Sequence, residues 1–163
     1  MTRGDPRNAP PAAGLLSAIA LAALLPACGS DRVTPPPPPP PPPATVTSVI
    51  DQGSVPGLPP GAVVFGGITT PRIGTLEVIV DWTSPTNNVD VFLTRGACNP
   101  EQLLALVCNT VAVSESLTAK PETVSAANAL VGGYTLFVVN LGPTEETISY
   151  RILLTHAATA SER

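Results

Sequence analysis

The chain has 163 residues, 44% of them hydrophobic but only 4% aromatic and 12% charged, with 21 prolines and a formal net charge of −4. That length suits a single hydrophobic core rather than several. The acidic balance argues against a nucleic-acid binder, which needs Lys and Arg on phosphates, and against polybasic attachment to anionic lipid.

The first element is an apolar run, Leu15–Leu25, preceded by Arg3 and Arg7 and followed by Pro26-Ala27-Cys28-Gly29. Gly14 to Ala27 is too short for a transmembrane helix, which takes about 20 predominantly apolar residues. A basic start, an apolar stretch and a small residue before the cleavage point are the parts of a secretory signal. The cysteine directly after Ala27 makes the segment resemble a bacterial lipoprotein signal peptide. The resemblance implies a signal peptide over residues 1–27 and a diacylglyceryl thioether on Cys28, which becomes the acylated N-terminus. Pro26 departs from the Ser, Ala or Thr more usual in that box. Gly29, where an Asp would retain the protein in the inner membrane, implies the outer membrane as destination, facing either the periplasm or the medium.

Residues 28–44 then read as a spacer. Pro35 to Pro43 is an unbroken run of proline, and a residue with fixed φ and no N–H joins neither helix nor central strand. Polyproline II at about 3.1 Å per residue makes it a semi-rigid rod of roughly 28 Å. A ligand for a polyproline-reading domain would carry a basic or aromatic residue inside the run, and none is there.

Residues 45–163 are expected to form one antiparallel β-sandwich. With Arg3, Arg7 and Asp5 removed, six Lys/Arg face eleven Asp/Glu, an acidity that serves solubility. Short apolar segments at Val46–Ile50 and Val63–Gly66 open the domain. Leu76–Trp82 alternates with period two, placing Leu76, Val78, Val80 and Trp82 on one face. Val89–Thr94 does the same with Val89, Val91 and Leu93, and Ser84–Asn88 between them has turn composition. These two runs are expected to pair as antiparallel neighbours. Asn99-Pro100-Glu101 carries helix-start signals, with an N-cap residue, proline in the first turn and an acidic side chain at the positive end. A two-turn surface helix is therefore expected before Cys108. Weaker strands follow at Val111–Ser114 and Glu122–Ala126, then stronger ones at Tyr134–Asn140 and Thr147–Leu154, where Ile148, Tyr150, Ile152 and Leu154 share a face. Many short strands separated by Gly/Pro turns are the mark of such a sandwich.

Cys98 and Cys108 bracket the helix, and with Cys28 lipidated they are an even pair in a compartment that permits disulfides. A disulfide between them would contribute about 3 kcal/mol in the chain-entropy model. Two cysteines without histidine neighbours do not complete a zinc site.

Val80-Asp81-Trp82, Asn88-Val89-Asp90-Val91-Phe92-Leu93, Leu130-Val131-Gly132-Gly133-Tyr134-Thr135-Leu136 and Tyr150-Arg151-Ile152-Leu153 together resemble the bacterial pre-peptidase C-terminal (PPC) domain. The resemblance covers roughly Ala62 to Thr155. It implies a jelly-roll-like sandwich and an accessory role, binding or stabilising without catalysis. The chain departs from that family's usual setting by the Cys98–Cys108 insertion and by reading as a sandwich without a peptidase.

No enzyme motif stands out: HExxH, GxSxG and P-loop patterns are missing from the sequence. His156, the single histidine, reads as an exposed residue past the last strand, and Lys120 as part of an exposed turn before Pro121. Asp81 and Asp90, with Asn87 or Asn88, are the candidate calcium ligands, since calcium takes oxygen donors and some PPC-like domains bind it. Against that stands a structural use, capping strand ends and the turn backbone. Trp82, Phe92 and Tyr134 are the candidate ligand contacts, with a core role for Trp82 as the alternative. The expectation is a non-catalytic, membrane-anchored binding module for a polysaccharide or a surface protein. The alternative is a structural lipoprotein packing against an envelope partner.

Overall fold

The structure, a computed structural model, describes residues 36–162; residues 1–27, read above as a signal peptide, together with Cys28 and Pro35, lie outside the described residues. Pro36–Pro43 is exposed and belongs to no helix or strand. The chain divides into two units, Met1–Pro39 and Pro40–Arg163, and every strand lies in the second.

Eight strands follow one another as β1 (Thr45–Leu58), β2 (Val63–Thr70), β3 (Gly74–Trp82), β4 (Val89–Arg95), β5 (Asn109–Ser114), β6 (Glu122–Ala129), β7 (Gly132–Asn140) and β8 (Glu146–Ala157). One short helix, α1 (Pro100–Leu104), separates β4 from β5. The strands form two four-stranded antiparallel sheets, β1-β8-β3-β6 and β2-β7-β4-β5. Four of the pairings, β4 with β5, β3 with β6, β2 with β7 and β1 with β8, are nested around the α1 excursion.

Period-two alternation decides which side chains meet. From the first sheet Leu76, Val78, Val80, Trp82, Ile148 and Ile152 point inward, and from the second Val89, Val91, Leu93, Leu136 and Val138 meet them in one buried cluster. Each such side chain contributes on the order of 2 kcal/mol when fully buried. Among the described residues, all strands and this core lie within Pro40–Arg163.

All eight expected segments are strands; β1, β2, β6 and β8 run beyond the expected bounds, and one pairing differs. β1 continues well past Ile50 through Asp51-Gln52-Gly53-Ser54, in register with β8 between two shifts, one at Val49/Asp51 and one at Val55/Leu58. Gly53 permits this: a Cβ there would stand 2.7 Å from the Tyr150 hydroxyl. The expected β3–β4 hairpin does not form. β3 lies between β8 and β6, β4 lies between β7 and β5, and residues 83–88 cross from one sheet to the other.

The reason for the crossing is a buried carboxylate. Glu146, 1% exposed, accepts from the Thr83 hydroxyl, from the backbone N–H of Thr83 (2.8 Å) and Ser84 (2.9 Å), from Asn87 Nδ2 (2.7 Å) and from Thr144 Oγ1 (3.1 Å). Asn87 also donates to Asn140 Oδ1, and Asn140 Nδ2 reaches the carbonyls of Leu58 and Thr144. Asn87 fits only because residue 142 is glycine, whose Cβ would overlap the amide. The Trp82 indole donates to the Asn87 carbonyl at 3.1 Å. These bonds hold the crossing segment to the start of β8, where a tight turn would have returned it to β3.

The helix has the expected start. Asn99 caps it, accepting from the Gln102 N–H, while the Gln102 side chain accepts from the Asn99 N–H, a reciprocal capping box. Cys98 and Cys108 stand at disulfide distance, with Cα atoms 6.1 Å apart, inside the usual range.

Glu146→Ala would leave the Thr83, Ser84 and Asn87 donors without their acceptor. A loss on the order of 3 kcal/mol is expected, read as a lower urea midpoint with unchanged slope.

Candidate functional site

The two sheets differ on their outer faces. On the first, Glu77, Ile79 and Asp81 of β3 alternate with the core residues and stand beside Leu153, Arg151 and Ser149 of β8 and Ser125 and Thr123 of β6. That is the polar exterior expected of an antiparallel sandwich. On the second sheet, register places Phe65 of β2, Phe137 of β7, Phe92 of β4 and Val113 of β5 side by side in one row. The row beside it holds Val63, Val139 and Asp90.

These are the chain's three phenylalanines, and none belongs to the inter-sheet core. Phe65 and Phe137 stack with centroids 5.6 Å apart and an interplanar angle of 21°. Phe137, in the middle, is 0% exposed, whereas Phe65 and Val113 at the ends are each 50% exposed. On the other side of the row, Thr94 and Thr135 are buried. Thr135 Oγ1 donates to the Gly96 carbonyl and accepts from the Cys98 N–H, so the α1 excursion starts from this face. Leu104, Leu106 and Val107 on the excursion are exposed. The result is an apolar exterior surface on one sheet.

The candidate ligand contacts do not come together. Trp82 is buried on the inner face of β3, with the Lys120 ammonium 4.9 Å from its ring centroid. Tyr134 is buried on the inner face of β7 and donates to the Leu130 carbonyl at 3.1 Å. Phe92 alone of the three lies on an outer face, half-buried. Two neighbours in its row, Phe65 and Phe137, escaped the sequence reading as site residues. The signal was present, because each phenylalanine falls out of phase with the core residues of its strand.

Asp81 and Asp90 are likewise separate, on strands of opposite sheets. The Asp81 carboxylate is held by the Lys120 ammonium, whose bond and charge, with the Trp82 N–H, keep it more acidic than an ordinary aspartate although burial opposes. Asp90 accepts from Asn88 Nδ2 at 3.2 Å; burial makes it less acidic than usual, and the nearby Glu115 adds to that. The calcium pair expected of these two is thus not assembled. Among the described residues no group of three or more His, Cys, Asp or Glu is placed to hold a metal ion.

Two further expectations change. Lys120 is not a free turn residue, since its ammonium bonds both Asp81 and the Trp82 carbonyl. His156 lies inside β8, buried, paired in register with Val46, with its Nδ1 2.9 Å from the Ala157 carbonyl.

Glu122 is the other buried carboxylate, 0% exposed at the start of β6. Oε1 accepts from the Ser116 N–H at 2.9 Å, and Oε2 has no hydrogen-bond partner among the described residues. Burial pushes its pKa up, Ser114 and Ser116 pull the other way, and the charges of Asp90 and Glu115 add to the rise. Glu146 is the opposite case: burial would raise it, but its four donor residues outweigh that and lower it.

An apolar cavity of about 140 Å³ opens between β1 and β2, lined by Val55, Val64, Ile68, Leu136 and Ile148 among others, with Gly66 at its side. Among the described residues no helix is long and apolar enough to cross a membrane. No protein-family model matches the chain, and no curated protein matches it.

The two buried glutamates give opposite pH dependences. With a raised folded-state pKa, Glu122 favours folding when protonated, and that contribution fades as pH rises from the unfolded value toward the folded one. Glu146 contributes above its unfolded pKa, and the contribution is lost as pH falls through the lowered folded value. Glu122→Gln should therefore raise the urea midpoint at pH 7 and give little gain at pH 4. An equal gain at both would contradict this assignment.

Proposed function

We propose that this chain is a non-catalytic, lipid-anchored protein of the bacterial outer membrane whose β-sandwich packs against another envelope protein. The docking surface is the outer face of the β2-β7-β4-β5 sheet. The observation that supports this is the position of the three phenylalanines, all on the outside of one sheet, with Phe65 and Val113 half exposed. Contiguous apolar exterior of this kind marks interaction surfaces.

A polysaccharide ligand is the less favoured reading. Ligand sites set specificity with a few convergent polar groups, and here the flanking Thr94 and Thr135 hydroxyls are buried and already bonded within the protein. Val63 and Val139 flank the rings in the neighbouring row. Burial of Trp82 and Tyr134 removes the best stacking platforms. A non-catalytic role is supported by the internal engagement of Lys120 and His156.

The nested pairing, first strand with eighth inward to fourth with fifth, is the order of a jelly roll. It supports the resemblance to the PPC domain, in which an accessory role without catalysis is usual. The lipid anchor rests on the sequence before and after Cys28.

Two measurements test the proposal. Cys28→Ser should move the protein from the membrane to the soluble fraction; continued membrane retention would remove the anchor. For the docking face, a photo-crosslinking residue at Val113 in the exported protein should give a discrete adduct in cells, and the same group at Arg151 on the polar sheet should give none. Equal labelling at both positions, or none at Val113 together with saturable retention on cell-surface polysaccharide, would overturn the protein-partner reading.

A further inference from the structure

Sheets end in strands with unpaired N–H and C=O groups, and natural proteins shield such edges with charge, proline, bulges or short length. Three of the four edges here are shielded. β1 carries Asp51, Pro56 and two register shifts. β6 is paired with β3 through a register shift. β5 is six residues long and bulged against β4. β2 has none of these devices. It runs eight residues, Val63-Val64-Phe65-Gly66-Gly67-Ile68-Thr69-Thr70, without a charge or a proline, in unbroken register with β7.

The hydrogen-bond phase of that edge follows from one contact. Asn140 N–H donates to the Ala62 carbonyl at 3.0 Å, and antiparallel bonding alternates along a strand. Ala62, Val64, Gly66, Ile68 and Thr70 therefore face β7, and Val63, Phe65, Gly67 and Thr69 turn their backbone groups to the free edge. Phe65, Gly66 and Gly67 are exposed there, and nothing lies within 4 Å of a Cβ built at either glycine.

We propose that β2 pairs antiparallel with β2 of a second copy of this chain, about a two-fold axis at Gly66, joining two four-stranded sheets into one of eight strands. The strand is self-complementary in this register. Phe65 stands opposite Gly67 of the second copy, so each ring covers a residue with no side chain. Val64 stands opposite Ile68 on the inner side, and Val63 opposite Thr69 on the outer. All four edge-facing residues of each strand find a partner in the other, and no charge meets a charge. The contact is small. Eight residues at about 3.4 Å give a length of about 27 Å, and at about 10 Å depth each partner buries roughly 300 Å², against about 800 Å² in a standard interface. The dimer is accordingly weak, with a dissociation constant on the order of 100 μM. It stands independently of whether the outer face binds another protein, because it rests on the edge and not on the phenylalanine row.

Sedimentation equilibrium of the Pro40–Arg163 segment between micromolar and millimolar concentration tests this. A monomer–dimer equilibrium is expected, and Gly67→Pro, which removes a free-edge N–H without breaking a bond to β7, should weaken it at least tenfold with the melting temperature of the dilute monomer retained. The axis at Gly66 brings the two Gly66 residues together as a non-hydrogen-bonded pair, with Cα atoms about 4.5 Å apart. Gly66→Cys should therefore form an intermolecular disulfide on mild oxidation, and Thr69→Cys should not. A purely monomeric segment at millimolar concentration, a dimer of full strength with Gly67→Pro, or equal crosslinking at positions 66 and 69 would each overturn the proposal. Loss of the Val113 adduct in cells would bear on the docking face alone.

Discussion

The buried Glu146 carboxylate sets the topology on which the other features depend. Its acceptors take up the backbone of Thr83 and Ser84 at the moment the chain leaves β3, and the amide of Asn87 just before it enters β4. An ionised group with this burial is tolerable only with several good donors, and it has them. Because those donors come from the crossing segment, β3 and β4 are held in opposite sheets rather than side by side. Every later pairing follows: β4 must find β5 and β7, and β3 must find β6 and β8. The phenylalanine row exists only because β4 lies beside β7.

Once the sheets are assigned, the period of two does the rest. A strand in a two-layer sandwich has one face in the core and one outside, and a one-residue slip would exchange them. Val89, Val91 and Leu93 fill the core from β4, which forces Phe92 outward together with Asp90 and Thr94. The same holds for Phe137 between Leu136 and Val138. Aromatic residues add packing between strands even on an outer face, and the stacked Phe65–Phe137 pair does so here. Cross-strand packing accounts for the burial of Phe137 but leaves Phe65 and Val113, the ends of the row, half exposed.

Strand existence was legible in the sequence, and strand partnership was not. Alternation at Leu76–Trp82, Val89–Thr94 and Thr147–Leu154 reports burial of one face, which is local information. Whether two neighbouring strands share a sheet depends on what the residues between them bind, and Thr83, Ser84 and Asn87 bind a glutamate some sixty positions away. The composition of Ser84–Asn88 suits a turn and a crossing equally. The same limit explains His156 and Lys120. The histidine is buried because β8 extends to Ala157, with β1 paired along it as far as Thr45. The lysine is engaged because its loop returns across Trp82. The helix start at Asn99 was legible because its signals, the N-cap residue, the proline and the acidic side chain, lie within three residues. The phenylalanine row was half legible: phase shows that each ring points away from the core, but only register shows that the three are adjacent.

Phe65 belongs to both outward-looking features, the apolar face and the unshielded edge of β2. This overlap has a physical consequence. Strand addition at β2 would place a second phenylalanine row in line with the first, so that two faces too small for firm binding alone become one surface. A partner that contacts both halves then gains from the second contact at high effective concentration, without any new kind of interaction. Charge works in the same direction. β2 itself carries no charge, and Asp90 and Glu115 lie toward the β4–β5 side of the sheet, so acidic molecules approaching one another meet least repulsion along this neutral strand. If the proposed lipid anchor holds the chain on one membrane surface, its copies meet far more often than in free solution, and a weak edge contact is then enough.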